Sequence, residues 1–143
     1  MTAEAAPLLQ LVSVSKRFGA EAALHETSLD VATARTTVLL GPSGCGKTTA
    51  LRLMLGLVRP DTGRVLFRQA PLTSTDCTDC TDDGLRRARQ QMGYVVQDGG
   101  LFPHLTALDN VTLMARHLRW PAARVDARVA ELAALVRLRA DAL

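Results

Sequence analysis

The sequence predicts an α/β fold, and three observations carry that prediction. Short apolar runs typical of strands recur before residue 98, and a glycine-rich turn separates one of them from an apolar helical pattern. From residue 99 onward, apolar residues recur at helical spacing instead. The length of 143 residues matches roughly one domain, and the apolar content of 48% excludes a disordered tail.

The N-terminal half is predicted to contain several strands and one helix. Residues 8–14 and 22–31 are typical of strands, and the continuous apolar run 36–40 is typical of a strand buried on both faces. A helix over 48–58 is predicted to follow, because its apolar pattern stops at the Arg59-Pro60 pair.

The following residues are predicted to hold shorter elements. Residues 64–68 are typical of an edge strand, and a polar loop is predicted over 73–83. A short basic helix over 84–91 and a strand over 92–97 are expected after the loop.

The C-terminal part is predicted to be helical. Thr106-x-x-Asp109 resembles a capping box and predicts a helix that runs to about Leu118. Pro121 is suited to the start of a second helix, because a first helical residue tolerates proline. That helix is predicted to run to the end of the chain, with apolar residues at helical spacing: Val125, Val129, Leu132 and Val136.

Charge and hydropathy exclude other classes of protein. The net charge of +3 is a weak excess for this length, so no nucleic acid partner is expected. No apolar run approaches the roughly 20 residues of a membrane-spanning helix. The N-terminus also lacks the basic and apolar segments of a secretory signal. We therefore expect a soluble intracellular chain.

Three cysteines are an odd number, which argues against a disulfide framework in such a chain. Cys77 and Cys80 have the C-x-x-C spacing of zinc and redox motifs. No second pair and no nearby histidine completes four ligands, so we interpret both as loop cysteines without an assigned role.

The most informative feature is the glycine-rich segment between the predicted strand 36–40 and the predicted helix. It matches the phosphate-loop pattern G-x-x-x-x-G-K-[ST], in which backbone N–H groups surround a phosphate at a helix N-terminus. The lysine reaches the β- and γ-phosphates, and the next hydroxyl ligates Mg²⁺. This segment predicts a P-loop nucleoside triphosphate site built from Gly41, Pro42, Ser43, Gly44, Cys45, Gly46, Lys47 and Thr48.

Segments on both sides of the loop indicate a family. The phrase VSKRFGAEAAL places Phe18 before the loop, the loop continues as GPSGCGKTT, and MGYVVQDGGLFPHLTALDNV places Gln97 after it. In these phrases and their order, the chain resembles the ATP-binding subunits of ABC transporters over nearly its whole length. The resemblance implies a P-loop NTPase fold with a RecA-like core, N-terminal β strands and the start of a helical subdomain.

The resemblance also implies roles for single residues, with ATP and Mg²⁺ as cofactors. Phe18 would stack on adenine, the loop through Thr49 would bind the phosphates, and Thr48 and Gln97 would contact Mg²⁺. Gln97 would also orient the attacking water. Taken without the resemblance, Phe18 is more typical of core packing and Gln97 of a solvated strand end.

The implied partners are transmembrane permease subunits and a second ATP-binding subunit, with the chain in the cytoplasm on the inner face of the membrane. Residues 1–98 would form the N-terminal part of the ATP-binding core, and 99–143 the beginning of the helical subdomain. The stretch from Gly99 to Leu105 either lies near the membrane-embedded partner or forms a local hydrophobic cover.

Within the family, QDGGLFPHLTALDNV and ARHLRWPAARVDARVAEL most resemble importers of osmoprotectants such as glycine betaine, choline and proline. Importers of polar amino acids share the LFPHLT phrase. Two turns depart from the family pattern. Ala34-Arg35 stand where Gly-Glu is usual, which predicts a strained or rebuilt turn, and Gln69-Ala70 stand where Asp-Gly is usual.

Motifs that complete an ABC ATPase do not occur in these 143 residues. There is no LSGGQ-type signature, no Asp-Glu pair after four aliphatic residues, and no histidine at the late switch position, since the three are His25, His104 and His117. Hydrolysis needs carboxylates beside Mg²⁺ and water, and the only catalytic candidate is Gln97. We therefore expect a truncated unit that alone binds Mg-ATP weakly and hydrolyses it negligibly.

Two alternatives stay open on the sequence. One is a truncated, non-catalytic interaction module that occupies transporter partners without turnover. The other is a small P-loop kinase or GTPase, which would need a catalytic base or a guanine-reading Asn-Lys-x-Asp, and neither is seen.

Overall fold

The computed structural model describes residues 6–75, 81–97 and 99–139, and these divide into two compact units, Met1–Tyr94 and Val95–Leu143. The first contains β1 (Leu9–Phe18), β2 (Glu21–Val31), α1 (Lys47–Met54), β3 (Thr62–Phe67), β4 (Ala70–Ser74) and α2 (Asp82–Arg89). The second contains α3 (Ala107–His117) and α4 (Ala122–Leu135).

The four strands form one antiparallel sheet in the order β2-β1-β3-β4. A two-residue turn that begins at Gly19, with φ 60°, joins Phe18 to its ladder partner Glu21. The register of β1 shifts between Leu11 and Val14, where Ser13 has a positive φ of 48°. Because of this bulge, Leu11 and Val14 are both fully buried although they are three positions apart.

The core of the first unit is aliphatic and lies where α1 packs on the sheet. Leu53 is fully buried on the helix, and Val65 is fully buried on the sheet. Burying each such side chain contributes about 1.5–3 kcal/mol. The buried apolar cluster consists of Leu11, Val14, Leu24, Ala50, Leu53, Met54, Val65, Phe67 and Leu72.

Most predicted elements are confirmed, with shifted bounds. The strands predicted over 8–14, 22–31 and 64–68 are present, as are the helices predicted over 84–91 and from 106. The edge position predicted for the strand 64–68 is wrong, because β3 lies inside the sheet between β1 and β4. The predicted loop 73–83 is wrong at its start, because β4 extends to Ser74 as the hairpin partner of β3. Cys77 and Cys80 lie outside the described residues.

Helix α1 ends at Met54, earlier than the predicted end at 58. The chain there forms a Schellman motif, in which Gly56 N–H donates to the Leu53 carbonyl and Leu57 N–H to the Arg52 carbonyl, both at 2.9 Å. Gly56 supplies the left-handed residue of this motif, with φ 63°. The stop signal in the sequence was therefore Gly56 and not the Arg59-Pro60 pair.

The strands predicted over 36–40 and 92–97 are wrong for this structure. Neither segment pairs in a ladder. A β-strand requires a neighbouring strand for its backbone hydrogen bonds, and the four described strands pair only with one another. Val38 is 66% exposed and Leu40 is 88% exposed, so burial on both faces is not observed.

The second unit is a helical pair. Thr106 caps α3 as predicted, since its hydroxyl accepts a hydrogen bond of 3.1 Å from Asp109 N–H and donates one of 2.8 Å to the Asp109 carboxylate. Pro121 directly precedes α4 as its N-cap. The predicted extension of α4 to the end of the chain is wrong, because Arg137 turns the backbone left-handed at φ 55°. Within the described ranges, none of the helices is long and apolar enough to cross a bilayer.

Candidate nucleotide site

The phosphate loop occupies the turn between the extended segment 36–40 and helix α1. Gly44 and Gly46 have left-handed φ angles of 81° and 94°, and Gly46 is the N-cap residue of α1. Lys47, Thr48 and Thr49 form the first turn of the helix, where backbone N–H groups have no acceptor within the helix. The loop therefore presents free donors and the positive end of the helix dipole together, which suits an anion.

Lys47 folds its side chain back over the loop. Its ammonium group donates hydrogen bonds to the carbonyl oxygens of Gly41 at 2.8 Å and Pro42 at 2.6 Å, and it lies 3.4 Å from the Cys45 sulfur. The cation is therefore held at the mouth of the loop by neutral acceptors. A phosphate oxygen offers it a stronger, charge-assisted hydrogen bond.

Glycine is required at position 46 of this loop by space as well as by conformation. A Cβ on Gly46 would lie 2.7 Å from the Ala23 carbonyl oxygen and 2.9 Å from the Leu24 side chain. A Cβ on Gly41 would lie 2.7 Å from the Cys45 sulfur. The loop thus packs directly on β2, and the fixed backbone oxygen of Ala23 leaves no room for a side chain at Gly46, whereas the Cys45 side chain at Gly41 can rotate away.

A cavity of about 390 Å³ opens beside the loop. Its polar wall is the loop itself, from Cys45 to Lys47, and its apolar wall comes from β2 and the segment 38–40. The site is therefore concave, with cationic and N–H donors on one side only.

Phe18 ends β1 and is 52% exposed, so it is not a core residue. The ladder places its neighbour Lys16 opposite Leu24, the same residue on which Gly46 packs. Phe18 and the loop consequently lie on the same β1–β2 strand pair, and Phe18 is two residues further along β1 than Lys16. At about 3.3 Å per residue this is a step of about 7 Å.

Asp61 and Lys16 are two residues of this region that sequence reasoning missed. Their carboxylate and ammonium groups form an ion pair of 2.7 Å, and the second Asp61 oxygen accepts the Arg17 N–H at 2.6 Å. The Lys16 hydrogen bond, followed by that of Arg17, lowers the pKa of Asp61. The sequence feature that could have indicated Asp61 is its position after Pro60 and directly before β3, which pairs with β1.

Gln97 belongs to the second compact unit and is exposed. The structure does not group it with the loop residues of the first unit, so its role stays a prediction. No group of three or more metal-binding side chains occurs within the described residues.

Asn110 organises the segment after Gln97, and sequence reasoning missed it too. Its side-chain oxygen accepts the Phe102 N–H at 2.8 Å, and its amide nitrogen donates to the Phe102 carbonyl at 3.1 Å. The same amide contacts the carbonyls of Leu105 and Thr106 at 3.3 and 3.0 Å. One side chain on α3 thus fixes the shape of this loop, while the Phe102 ring stays about half exposed.

Comparison with known proteins identifies a family. The family profile described as ABC transporter matches residues 24–142. The sulfate/thiosulfate import ATP-binding protein CysA of Bordetella bronchiseptica is 43% identical over 134 residues, which cover 91% of this chain and 35% of that protein. The glycine betaine/carnitine/choline transport ATP-binding protein OpuCA of Bacillus subtilis is 35% identical, with 90% and 32% covered. The chain therefore spans about a third of the length of these curated relatives.

Solved structures agree on the fold. The ATP-binding cassette MJ0796, in a dimeric post-hydrolysis state bound to ADP and Pi, superposes with a TM-score of 0.77 at 28% identity, covering 94% of this chain and 59% of that one. CbiO1 of Clostridium perfringens gives a TM-score of 0.78 at 23% identity and supports the fold alone. The predicted α/β fold of a P-loop NTPase with N-terminal strands is confirmed.

The relatives also bear on the predicted subgroup. A sulfate/thiosulfate relative is more similar in sequence than the glycine betaine relative, so a specific place among the osmoprotectant importers is not confirmed. The profile match, which includes the phosphate loop and most of both units, establishes the broader relationship. The chain belongs to the ABC transporter family.

Proposed function

We propose that the chain is the ATP-binding component of an ABC transporter, in which ATP binding and hydrolysis drive the import of a small solute. The observation that carries this proposal is the loop from Gly41 to Lys47, with its helix N-terminus and its lysine over the loop mouth. These are the donors that a triphosphate requires.

Each part of the site has a chemical role in this proposal. Residues 41–49 bind the phosphates through backbone N–H groups and the Lys47 ammonium. Phe18 supplies an exposed aromatic surface on which adenine stacks. Mg²⁺, when bound, neutralises charge on the phosphates, and the Thr48 hydroxyl and the Gln97 amide are the oxygen ligands proposed for it. Gln97 also orients a water molecule near the γ-phosphate.

The residues present fit these groups. For the phosphates, the fit rests on the first-turn N–H groups of α1, which follow Gly46, and on the Lys47 ammonium at the loop mouth. Hydroxyl and amide oxygens are hard donors, which Mg²⁺ prefers.

We further propose that residues 1–98 form the N-terminal part of the ATP-binding core and 99–143 the beginning of the helical subdomain. The observed division of the chain between Tyr94 and Val95 supports a boundary close to this one. The proposed partners are permease subunits and a second ATP-binding subunit, and the proposed location is the cytoplasmic face of the membrane. The dimeric state of the MJ0796 cassette supports the second subunit.

For the solute, the phrases after Gln97 favour an osmoprotectant such as glycine betaine. OpuCA, which is named for glycine betaine, carnitine and choline, supports this assignment, whereas CysA is named for sulfate and thiosulfate. Both names describe ATP-binding proteins for the transport of small polar solutes, and CysA is named for import.

The test is nucleotide binding by the full 143-residue chain, measured by isothermal titration calorimetry with Mg-ATP. Binding is the appropriate readout, because the sequence offers no carboxylate that can be assigned to the hydrolytic step. Lys47→Ala is expected to weaken Mg-ATP binding by at least about tenfold, since it removes the cation at the phosphates.

Arg52→Ala is the matched control, because it removes one cation from the last turn of the same helix. It is expected to bind Mg-ATP as the unmodified chain does. Equal affinities of the Lys47→Ala variant and the unmodified chain would contradict the proposed function.

A further inference from the structure

We propose that Asp61 is a positioning residue for nucleotide binding, which acts through Lys16 and the β1 backbone to hold the Phe18 ring where it receives the base. This inference rests on the proposed function, because it assumes that a nucleotide binds at the loop. Asp61 itself does not touch the ligand in this proposal.

Asp61 forms a clamp on the end of β1. One carboxylate oxygen accepts from the Lys16 ammonium at 2.7 Å, and the other accepts from the Arg17 N–H at 2.6 Å. The Asp61 N–H donates to the Ser15 carbonyl at 2.9 Å. Three consecutive residues directly before Phe18 are therefore fixed by one side chain and its own backbone.

Lys16 also contacts the Phe18 ring. The Lys16 ammonium lies 5.6 Å from the centroid of Phe18, within the range of a cation–π interaction. Lys16 is mostly covered, with 15% of its side chain exposed, whereas Phe18 is 52% exposed. The cation therefore covers part of the ring, and about half of the aromatic surface stays open to a planar ligand.

The contact between Lys16 and the Phe18 ring depends on the Asp61 carboxylate. A largely covered ammonium group needs a partner that neutralises it. When the carboxylate is replaced by a neutral amide, Lys16 loses its ion pair and is expected to turn toward water. The ring then loses its support, and the Arg17 N–H keeps at most a weaker, uncharged acceptor.

The Asp61 clamp acts on the same strand pair on which the phosphate loop packs. Lys16 pairs with Leu24 in the β1–β2 ladder, and Gly46 of the loop packs on Leu24. The clamp and the phosphate loop thus share one strand pair. Displacement of Phe18 is expected to affect the base end of a nucleotide, while the phosphate end keeps its own contacts through Lys47.

The experiment compares two probes by isothermal titration calorimetry on the full chain, Mg-ATP and inorganic tripolyphosphate with Mg²⁺. Asp61→Asn is expected to weaken Mg-ATP binding by about 3- to 10-fold, which is part of the stacking contribution of one base. Its tripolyphosphate affinity is expected to stay within about twofold, because no phosphate contact changes. Lys16→Met, which retains the apolar stem, is expected to show the same selective loss.

Two further variants make the test specific. Phe18→Ala is expected to show the full loss for Mg-ATP, and the double variant with Asp61→Asn is expected to be no weaker than Phe18→Ala alone. Asp30→Asn is the control, since it makes the same change at a carboxylate on β2, which accepts a hydrogen bond from Gln10. It is expected to bind both probes normally.

Equal losses for Mg-ATP and tripolyphosphate in Asp61→Asn would overturn the positioning role, as would unchanged Mg-ATP binding in Asp61→Asn or Phe18→Ala. Additive losses in the double variant would overturn it as well. In each of these results Lys47-dependent binding persists, so the proposed function stands. Absence of Lys47-dependent binding of either probe would overturn both proposals.

Discussion

The ammonium group of Lys47 donates a hydrogen bond of 2.6 Å to the carbonyl oxygen of Pro42. The lysine thus bridges the two residues that begin the loop, Gly41 and Pro42, and the Cys45 sulfur lies 3.4 Å from its ammonium. The ammonium is the group proposed to contact the phosphates, and Cys45 is its nearest side-chain neighbour among these contacts. The thiol is therefore close enough to the proposed phosphate position to obstruct it.

Alkylation of Cys45 with N-ethylmaleimide is expected to abolish Mg-ATP binding, because the added group fills the loop mouth. The measurement uses a Cys77→Ser/Cys80→Ser background, in which Cys45 is the only thiol. Cys45→Ser in the same background is the control. It is expected to bind Mg-ATP before and after treatment, because the loop uses the backbone at this position. Full Mg-ATP binding after quantitative labelling would show that Cys45 lies away from the phosphates.

Gly63 is expected to be among the glycines least tolerant of substitution. A Cβ at this position would lie 2.3 Å from the carbonyl oxygens of both Val12 and Ser13, where β3 crosses the bulge of β1. These are backbone atoms that cannot rotate away, so Gly63→Ala is expected to lower the free energy of unfolding by about 2–4 kcal/mol.

Gly19→Ala is the matched comparison for Gly63→Ala. Gly19 also has a positive φ, 60°, but no atom lies within 4 Å of its added Cβ. Gly19→Ala is therefore expected to lower the free energy of unfolding by about 1 kcal/mol, for conformational reasons alone. Urea denaturation followed by circular dichroism measures both values, since the single tryptophan, Trp120, lies in the other unit. Equal costs would mean that β1 and β3 are not crowded at this crossing.

Elements that depend on nearby residues were predictable from the sequence, whereas strands that depend on a neighbouring strand were not. The phosphate loop, the Thr106 cap and the strand character of β1 and β2 follow from residue chemistry within a few positions, and these were predicted, whereas the hairpin that joins β1 to β2 was not. The run 36–40 has the composition of a buried strand, but a strand also requires a neighbour. Composition cannot show whether one is available, and the described strands do not supply it.

The Asp61–Lys16 pair was missed for a related reason. The two residues are far apart in sequence, and they meet only because β3 enters the sheet beside β1. A single sequence gives the positions of the two charges but not the strand register that joins them. The end of α1 was predictable in principle, because Gly56 is a common C-terminal signal, but the proline at 60 is the more conspicuous breaker.

The turn between β3 and β4 is expected to become more stable with glycine. Phe67 pairs with Ala70, so Arg68 and Gln69 form a two-residue turn with φ of 50° and 65°. This is the pattern of a type I′ turn, which favours Asn-Gly. The Gln69-Ala70 departure from the family pattern therefore falls at this turn. Its two central residues, Arg68 and Gln69, are both non-glycine residues in the left-handed conformation.

Gln69→Gly is expected to raise the free energy of unfolding by about 0.5–1 kcal/mol, because the left-handed conformation no longer carries a Cβ penalty. Ala70→Gly is the control, since Ala70 lies in the regular strand. It is expected to lower stability by about 0.5–1 kcal/mol. A loss of stability in both variants by urea denaturation would contradict the turn assignment.

Acid is expected to weaken one ion pair in each unit. The hydrogen bond from Lys16, then that from Arg17, lowers the pKa of Asp61, and the Thr106 hydroxyl, then Arg116, lowers that of Asp109. A carboxyl whose pKa is lower in the folded chain binds fewer protons there than in the unfolded chain. Its stabilising contribution is therefore complete above the ordinary aspartate pKa and is lost as the pH falls through the lower, folded value.

Asp61→Asn and Asp109→Asn are expected to be less stable than the unmodified chain at pH 7, with differences that shrink below about pH 4. Urea denaturation across pH 3–7 measures these differences. Lys16→Met and Arg116→Met are the matched backgrounds, because each removes one of the two leading hydrogen bonds to its carboxylate. In these backgrounds the pH dependence of the aspartate substitution is expected to become smaller. A difference that persists unchanged to pH 3 would mean that neither carboxylate gains its stabilising contacts through its charge, and the Asp61 clamp on β1 would then be held by the backbone bonds alone.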